Sequence, residues 1–219
     1  MTLMPLSSSQ DLASQQKIRE RQKNFIEDVR LSNALSDALR TRGGRRVFKK
    51  KSENSEGLTE QEKKQRSKRW DQLREDFKDD FKAELRNVAA NRVSAVGDVA
   101  HITDIRGVAT RLSKKYSEIL NGNKLVFGVA QKAINVYLKS LWCDNSNVKP
   151  PHCPFDRDIL ERLKLPDGCS RSWTGCDDED NYQKWVSAAR SAAVSRSLSE
   201  WELEEWEAAQ MRKKGKAPT

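Results

Sequence analysis

Residues 59–97 read TEQEKKQRSKRWDQLREDFKDDFKAELRNVAANRVSAVG. Thr59 followed three residues later by Glu62 is a capping box: the threonine oxygen takes one free backbone N–H of a helix start and the glutamate reaches back to another. Beyond it, Trp70, Leu73, Phe77, Phe81, Leu85, Val88 and Ala89 recur at intervals of three and four, which puts them on one face of a helix. The pattern predicts a helix running to about Val96 and stopping at Gly97.

The same period recurs on either side. Val99 to Thr103 reads as a short connector holding a lone histidine, His101, expected to be structural. A helix from about Asp104 presents Ile105, Val108, Leu112, Tyr116 and Ile119, and Asn121-Gly122 ends it as a glycine C-cap does. A central helix follows from about Val129 to Trp142, then a proline-bounded loop and a short helix with Ile159, Leu160 and Leu163. Acidic residues 177–180 open another helix, with negative charge at its positive end. Ser197 and Glu200 form a second capping box ahead of a last helix carrying Trp201 and Trp206. One of those tryptophans is expected to pack on the core and the other to mark a partner surface. Upstream, Ile18, Phe25, Val29, Leu35 and Leu39 suggest one amphipathic helix over 11–40, either continuous or broken near Ser32. No alternating strand pattern and no repeat occurs. The expected class is all-α: a single helical domain over 59–213, an N-terminal helix and basic flexible arm over 1–58, and a disordered tail over 214–219.

The 219 residues carry a formal charge of +9, and only 36% are hydrophobic. Twelve basic residues against four acidic ones between Arg40 and Arg69 hold nearly all of that excess. The run is either a solvated linker or an arm that lies along phosphates. No apolar run is long enough to span a bilayer, and the N-terminus lacks the pattern of a secretory signal. No membrane partner is expected, and an intracellular, cytoplasmic setting follows. Cys143, Cys153, Cys169 and Cys176 are then expected to be reduced; no pair has the two-to-four residue spacing of zinc knuckles, so neither metal nor other cofactor is expected.

Two features bear on chemistry. Gly128-Val129-x-x-Lys132 places a glycine at a helix start, where backbone N–H groups can approach an anion, or where a plain turn is made. Pro150-Pro151-His152-Cys153-Pro154-Phe155-Asp156 is a stiff loop that ends on an aspartate, either a helix cap or a carboxylate at a cleft mouth.

Together these resemble the core of the helix-hairpin-helix DNA glycosylases, over about residues 125–163. That family has a Gly-Val-Gly-x-Lys hairpin, then a helix, then a loop ending in Pro-Val-Asp. Gly128, Val129 and Lys132 match the hairpin, and Pro154 and Asp156 match the loop. Ala130 stands where the second glycine would be, Phe127 replaces the usual proline, Asp158 takes the place of a frequent histidine, and the lysine-to-aspartate separation of 24 residues is a few longer than common. The resemblance implies a DNA partner, double-stranded, whose nucleotide is flipped into a pocket. Lys132, made nucleophilic by partial burial, would attack the sugar C1′, and Asp156 would take its proton and stabilise the cationic sugar. Gly128, Val129 and Gln131 would meet phosphate, and Trp142, His152, Phe155 and Trp173 are the candidates for the base pocket. Arg42, Arg45, Arg46, Lys49, Lys50 and Lys51 would add salt-sensitive affinity. Against this stands a non-enzymatic helical factor that binds nucleic acid or a protein partner through the basic arm, a type that would suit host–virus conflict.

Overall fold

A computed structural model of the chain describes residues 9–40, 46–50, 57–92, 96–144 and 149–213. Among them are seven α-helices and no strand; Phe48 and Leu120 form one isolated bridge. The helices are α1 (Ser9–Leu39), α2 (Glu60–Ala90), α3 (Asp98–Tyr116), α4 (Phe127–Cys143), α5 (Arg157–Leu160), α6 (Glu179–Ala193) and α7 (Leu198–Lys213). No described helix is long and apolar enough to cross a membrane. The all-α class is as the periodicity requires.

Helix α4 lies at the centre, packed by α1, α2 and α3 and by the 3₁₀ turn Trp173–Gly175. It is buried along Phe127–Ala130 and at Ala133, Ile134 and Tyr137. Helix α2 starts as its capping box dictates: Thr59 N donates to Glu62 Oε2 at 2.7 Å and Glu62 N donates to Thr59 Oγ1 at 3.3 Å. Trp70, Phe77, Phe81, Leu85 and Val88 are its buried face. The rings of Phe48, Phe81 and Tyr116 meet Phe77 edge-on at 5.3–5.7 Å. Truncating so central a phenylalanine costs about 3–5 kcal/mol. The second capping box is also formed, with Ser197 N donating to Glu200 Oε2 at 3.1 Å and Glu200 N to Ser197 Oγ at 3.3 Å.

Four expectations are corrected. Helix α1 is continuous through Ser32, and it buries Leu31, Ala34, Leu35 and Ala38. Ile18, Phe25 and Val29 are exposed instead. The second half of α1 packs against α4 and α2, so it belongs to the core and not to an arm. Helix α2 ends at Ala90, capped by Asn91, short of Val96; residues 93–95 fall outside those described. Val99 to Thr103 is the first turn of α3, not a connector, because His101 and Ile102 turn inward and packing overrides weak helix propensity. That helix in turn stops at Tyr116, and Asn121–Asn123 is a separate 3₁₀ turn with Gly122 at φ 66°.

Candidate active site around Lys132 and Asp156

The start of α4 explains Gly128. A Cβ there would stand 1.8 Å from the Trp173 carbonyl oxygen, so only glycine admits the 3₁₀ turn against the helix. The first amides of α4 are spent inside the protein. Phe127 N donates to Asp177 Oδ1 at 3.1 Å, Gly128 N to the Cys176 carbonyl at 2.8 Å, and Val129 N and Ala130 N both donate to Val126 O. Asp177 occupies the position an external anion would take at a helix N-terminus. Burial disfavours its charge, but Lys124 at 2.5 Å, the Phe127 amide and Arg106 outweigh that and hold the carboxyl below the usual range. The expected phosphate grip by Gly128 and Val129 is therefore not formed: these amides face Cys176 and Val126.

Lys132, one turn further, is brought to Asp156. Lys132 Nζ lies 3.5 Å from Asp156 Oδ2 and 4.6 Å from the centre of the Trp173 ring. The lysine side chain is 13% exposed and the aspartate 32%, so the pair sits at the protein's edge and solvent reaches it. Asp156 also caps α5, its Oδ1 accepting from Ile159 N at 3.2 Å. Cap and pairing partner are thus the two oxygens of one carboxylate.

What fixes Asp156 is a buried clamp on the loop before it. Gln131 Nε2 donates to the Phe155 carbonyl at 2.7 Å, and Phe155 N donates back to Gln131 Oε1 at 3.3 Å. Asn135, a turn later on α4, donates to the Cys153 carbonyl at 3.0 Å. Ser199 of α7 donates to the Pro150 carbonyl at 3.0 Å. Gln131, His152 and Phe155 are fully buried in this clamp, which corrects their assignment: Gln131 does not face a nucleic acid, and His152 and Phe155 do not line an open pocket. Trp173 is nearly buried beneath Lys132, and Trp142 is half-buried near the end of α4.

Behind the clamp, two histidines meet edge to face at 4.7 Å. His101 Nε2 faces Asn135 Oδ1 at 2.8 Å and its Nδ1 faces Arg92 at 3.0 Å, which assigns the ring as neutral with the proton on Nε2. His152 Nδ1 meets the Tyr182 hydroxyl at 2.9 Å, and Asp98 Oδ1 stands 3.2 Å from its Nε2, close but without hydrogen-bond alignment. Burial first, then His152 and Arg92, push His101 down to about 3 against the Asn135 bond. Burial likewise pushes His152 down to about 4, with Asp98 opposing. Both rings are neutral spacers between α3, α4, α6 and the loop.

Sequence reasoning missed a second pair. Lys139, two turns beyond Lys132 on α4, meets Glu202 of α7 at 2.5 Å, and Trp206 lies 5.5 Å from the same ammonium. Glu202 is buried; burial raises its pKa, and neighbouring Asp156 adds to that effect while Lys139 opposes it. The seven-residue interval between the lysines was the available signal. Trp201 is buried and Trp206 is 49% exposed, which separates the two tryptophans.

Of the basic-arm candidates, Arg42, Arg45 and Lys51 lie outside the described residues. Lys49 caps the end of the α3 segment, donating to the Ser117 and Glu118 carbonyls and, at 2.6 Å, to Asn123 Oδ1; its role is structural. Arg46 and Lys50 are exposed. Cys153 and Cys176 are buried thiols whose pKa burial raises, and no group of three or more metal-ligating side chains occurs among the described residues.

No protein-family model, no curated protein and no solved structure matches the chain.

Proposed function

We propose that this protein acts on DNA through amine–carboxylate chemistry at Lys132 and Asp156, as a base-excising enzyme. The supporting observation is that a loop with four buried hydrogen bonds, two of them to Gln131, holds Asp156 at 3.5 Å from a partly exposed lysine. A helix cap alone needs no such clamp. Lys132, once its proton has passed to Asp156, attacks C1′ of an extruded nucleotide as the C1′–N bond breaks. The base leaves with the bonding electron pair and takes a proton delivered by Asp156. The C1′–O4′ bond then opens as the nitrogen lone pair forms C1′=N, O4′ takes the second amine proton by way of Asp156, and the protonated Schiff base left on the lysine keeps the third. Trp173 supplies a rigid face beneath the ammonium. The phosphates are met elsewhere, since the α4 amides are occupied.

Borohydride trapping with duplexes carrying a mixed set of base lesions tests this. A covalent adduct with the wild type, absent in Lys132→Ala and weakened in Asp156→Asn, is the expected result. Neither adduct nor base release with any substrate refutes it.

A second reading is favoured by the same internal amides. In it the Lys132–Asp156 pair is a latch for the loop, and the chain binds nucleic acid or a protein partner without chemistry. Salt-sensitive DNA binding with no adduct and no base release would establish it.

A further inference from the structure

Helix α1 carries a second apolar stripe that the core does not use. Four of the seven large apolar side chains exposed among the described residues lie on it: Ile18, Phe25, Ile26 and Val29, at 41–70% exposure. At about 100° per residue, Ile18, Phe25 and Val29 fall within roughly 40° of one another, with Ile26 at one edge. The buried residues Leu31, Ala34, Leu35 and Ala38 centre roughly 150° away, on the side where Glu27 meets the Tyr137 hydroxyl. The stripe therefore faces away from the body. Of the side chains described between Gln16 and Ile26, every one is exposed, so about three turns of α1 stand clear of the core. Such turns gain nothing from the tertiary packing that supplies most of a helix's stability. The four side chains leave about 400 Å² of apolar surface in water on each copy, as much as a monomer's largest patch commonly reaches.

The pattern of the stripe selects its occupant. Ile18, Gln22, Phe25 and Val29 are spaced four, three and four apart, the seam of a two-helix coil and narrower than a face laid in lipid. Run antiparallel, this seam matches itself in one register: Ile18 meets Val29 of a second copy, Gln22 meets Phe25, and the two-fold axis repeats both layers. Charge agrees with that direction. The stretch from Arg19 to Lys23 holds three cations and one acid, and Glu27 and Asp28 are both acidic. An antiparallel copy lays its cationic stretch beside the acidic pair, whereas a parallel copy lays cations on cations. Asp28 gives only its Oδ1 to Lys82 and stays 60% exposed, so its other oxygen is open to a guanidinium from the second copy. With the stems of Arg19 and Arg21 added to the apolar seam, the buried total comes to about 1,200 Å², the lower bound of a stable interface.

We infer that two copies of this chain associate through α1, antiparallel, with Ile18, Phe25 and Val29 of each in the seam. The inference stands apart from the chemistry proposed at Lys132.

The test is sedimentation velocity of the full chain over about 1–500 µM, where the mass should move from 25.0 kDa toward twice that, with a dissociation constant of about 1–100 µM. Phe25→Glu alters a residue 70% exposed, so it leaves the core alone, and it is expected to raise that constant at least about 30-fold. Gln22→Leu replaces the polar member of the seam and should lower it about 10-fold. Val99→Glu, at a residue 78% exposed on α3, should leave it unchanged, and urea titrations verify that each variant is folded. In a Cys143→Ser/Cys169→Ser background, oxidation should join Ile18→Cys protein to Val29→Cys protein when the two are mixed, and neither to itself. A chain that is monomeric at about 500 µM overturns the inference. So does equal weakening by Val99→Glu and Phe25→Glu, or cross-linking of the Ile18→Cys protein to itself. Monomers that bind phosphatidylglycerol vesicles and lose them in Phe25→Glu would give the stripe to a lipid surface instead.

Discussion

Replacing Gly128 by alanine separates two accounts of that residue. If it were a phosphate cradle, alanine would weaken DNA binding and leave the fold intact. In the structure the new methyl would stand 1.8 Å from the Trp173 carbonyl oxygen, against a closest ordinary approach of 3.0 Å, and that atom is backbone, not the end of a flexible side chain. The 3₁₀ turn must therefore retreat by more than about 1 Å. Overpacking of this kind costs about 1–3 kcal/mol. The retreat also strains the 2.8 Å bond from Gly128 N to Cys176 O, and a buried group left unmatched adds about 1–3 kcal/mol. A loss of about 2–6 kcal/mol follows, which in a chain of this size lowers Tm by about 2–4 °C for each kcal/mol. Urea titration followed by tryptophan fluorescence measures it, since Trp173 itself moves. A Gly128→Ala protein within 0.5 kcal/mol of the wild type would refute the packing account and return the glycine to a role at the surface.

Acid stability should report the buried histidines. Both have folded pKa values, about 3 for His101 and about 4 for His152, below the ordinary 6.5, so the unfolded chain binds more protons between those limits. Their contribution is complete above pH 6.5 and is lost as pH falls, down through about 4 for His152 and about 3 for His101. Urea midpoints should be level near pH 7–8 and then fall with a slope approaching two protons, about 2.7 kcal/mol per pH unit, and a slope unchanged in His101→Gln would contradict the assignment. Lys139→Ala should cost about 3–5 kcal/mol because it strands the buried Glu202 carboxylate, whereas Lys139→Met/Glu202→Leu should recover most of that loss; equal losses in the two proteins by urea titration would show that packing, not charge, holds α7 to α4.

The helices were legible wherever large apolar residues repeat and capping residues announce a start, as at Thr59 and Ser197. Reading failed where small or polar residues do the packing. Ala34 and Ala38 are fully buried, yet alanine adds little to a hydrophobic stripe, so Phe25 reads as the better core residue. The first turn of α3 was hidden because its inward residues include a histidine. Gly128 was noticed for a correct reason, close approach at a helix start, but what approaches is the Trp173 carbonyl and not a ligand. Lys132 and Asp156 are linked through a family resemblance, and nothing in the 23 residues between them measures the 3.5 Å that separates them.

The clamp that sets that distance lay outside sequence reasoning altogether, because Gln131 and Asn135 differ from surface amides only in what surrounds them. Its chemistry ties the candidate site to the histidines. Asn135 joins the Cys153 carbonyl to His101 and, at 3.3 Å, to the Tyr182 hydroxyl, which in turn meets His152. A proton placed on either ring leaves a buried charge beside Arg92 or in place of an accepted hydrogen bond, and the cheapest relief is for the loop to lift from α4. The loop carries Asp156. Amide hydrogen exchange at Phe155, whose N–H is bonded to Gln131, is therefore expected to rise on acidification before exchange in the α2–α3 core does, and a simultaneous rise in both would contradict this coupling.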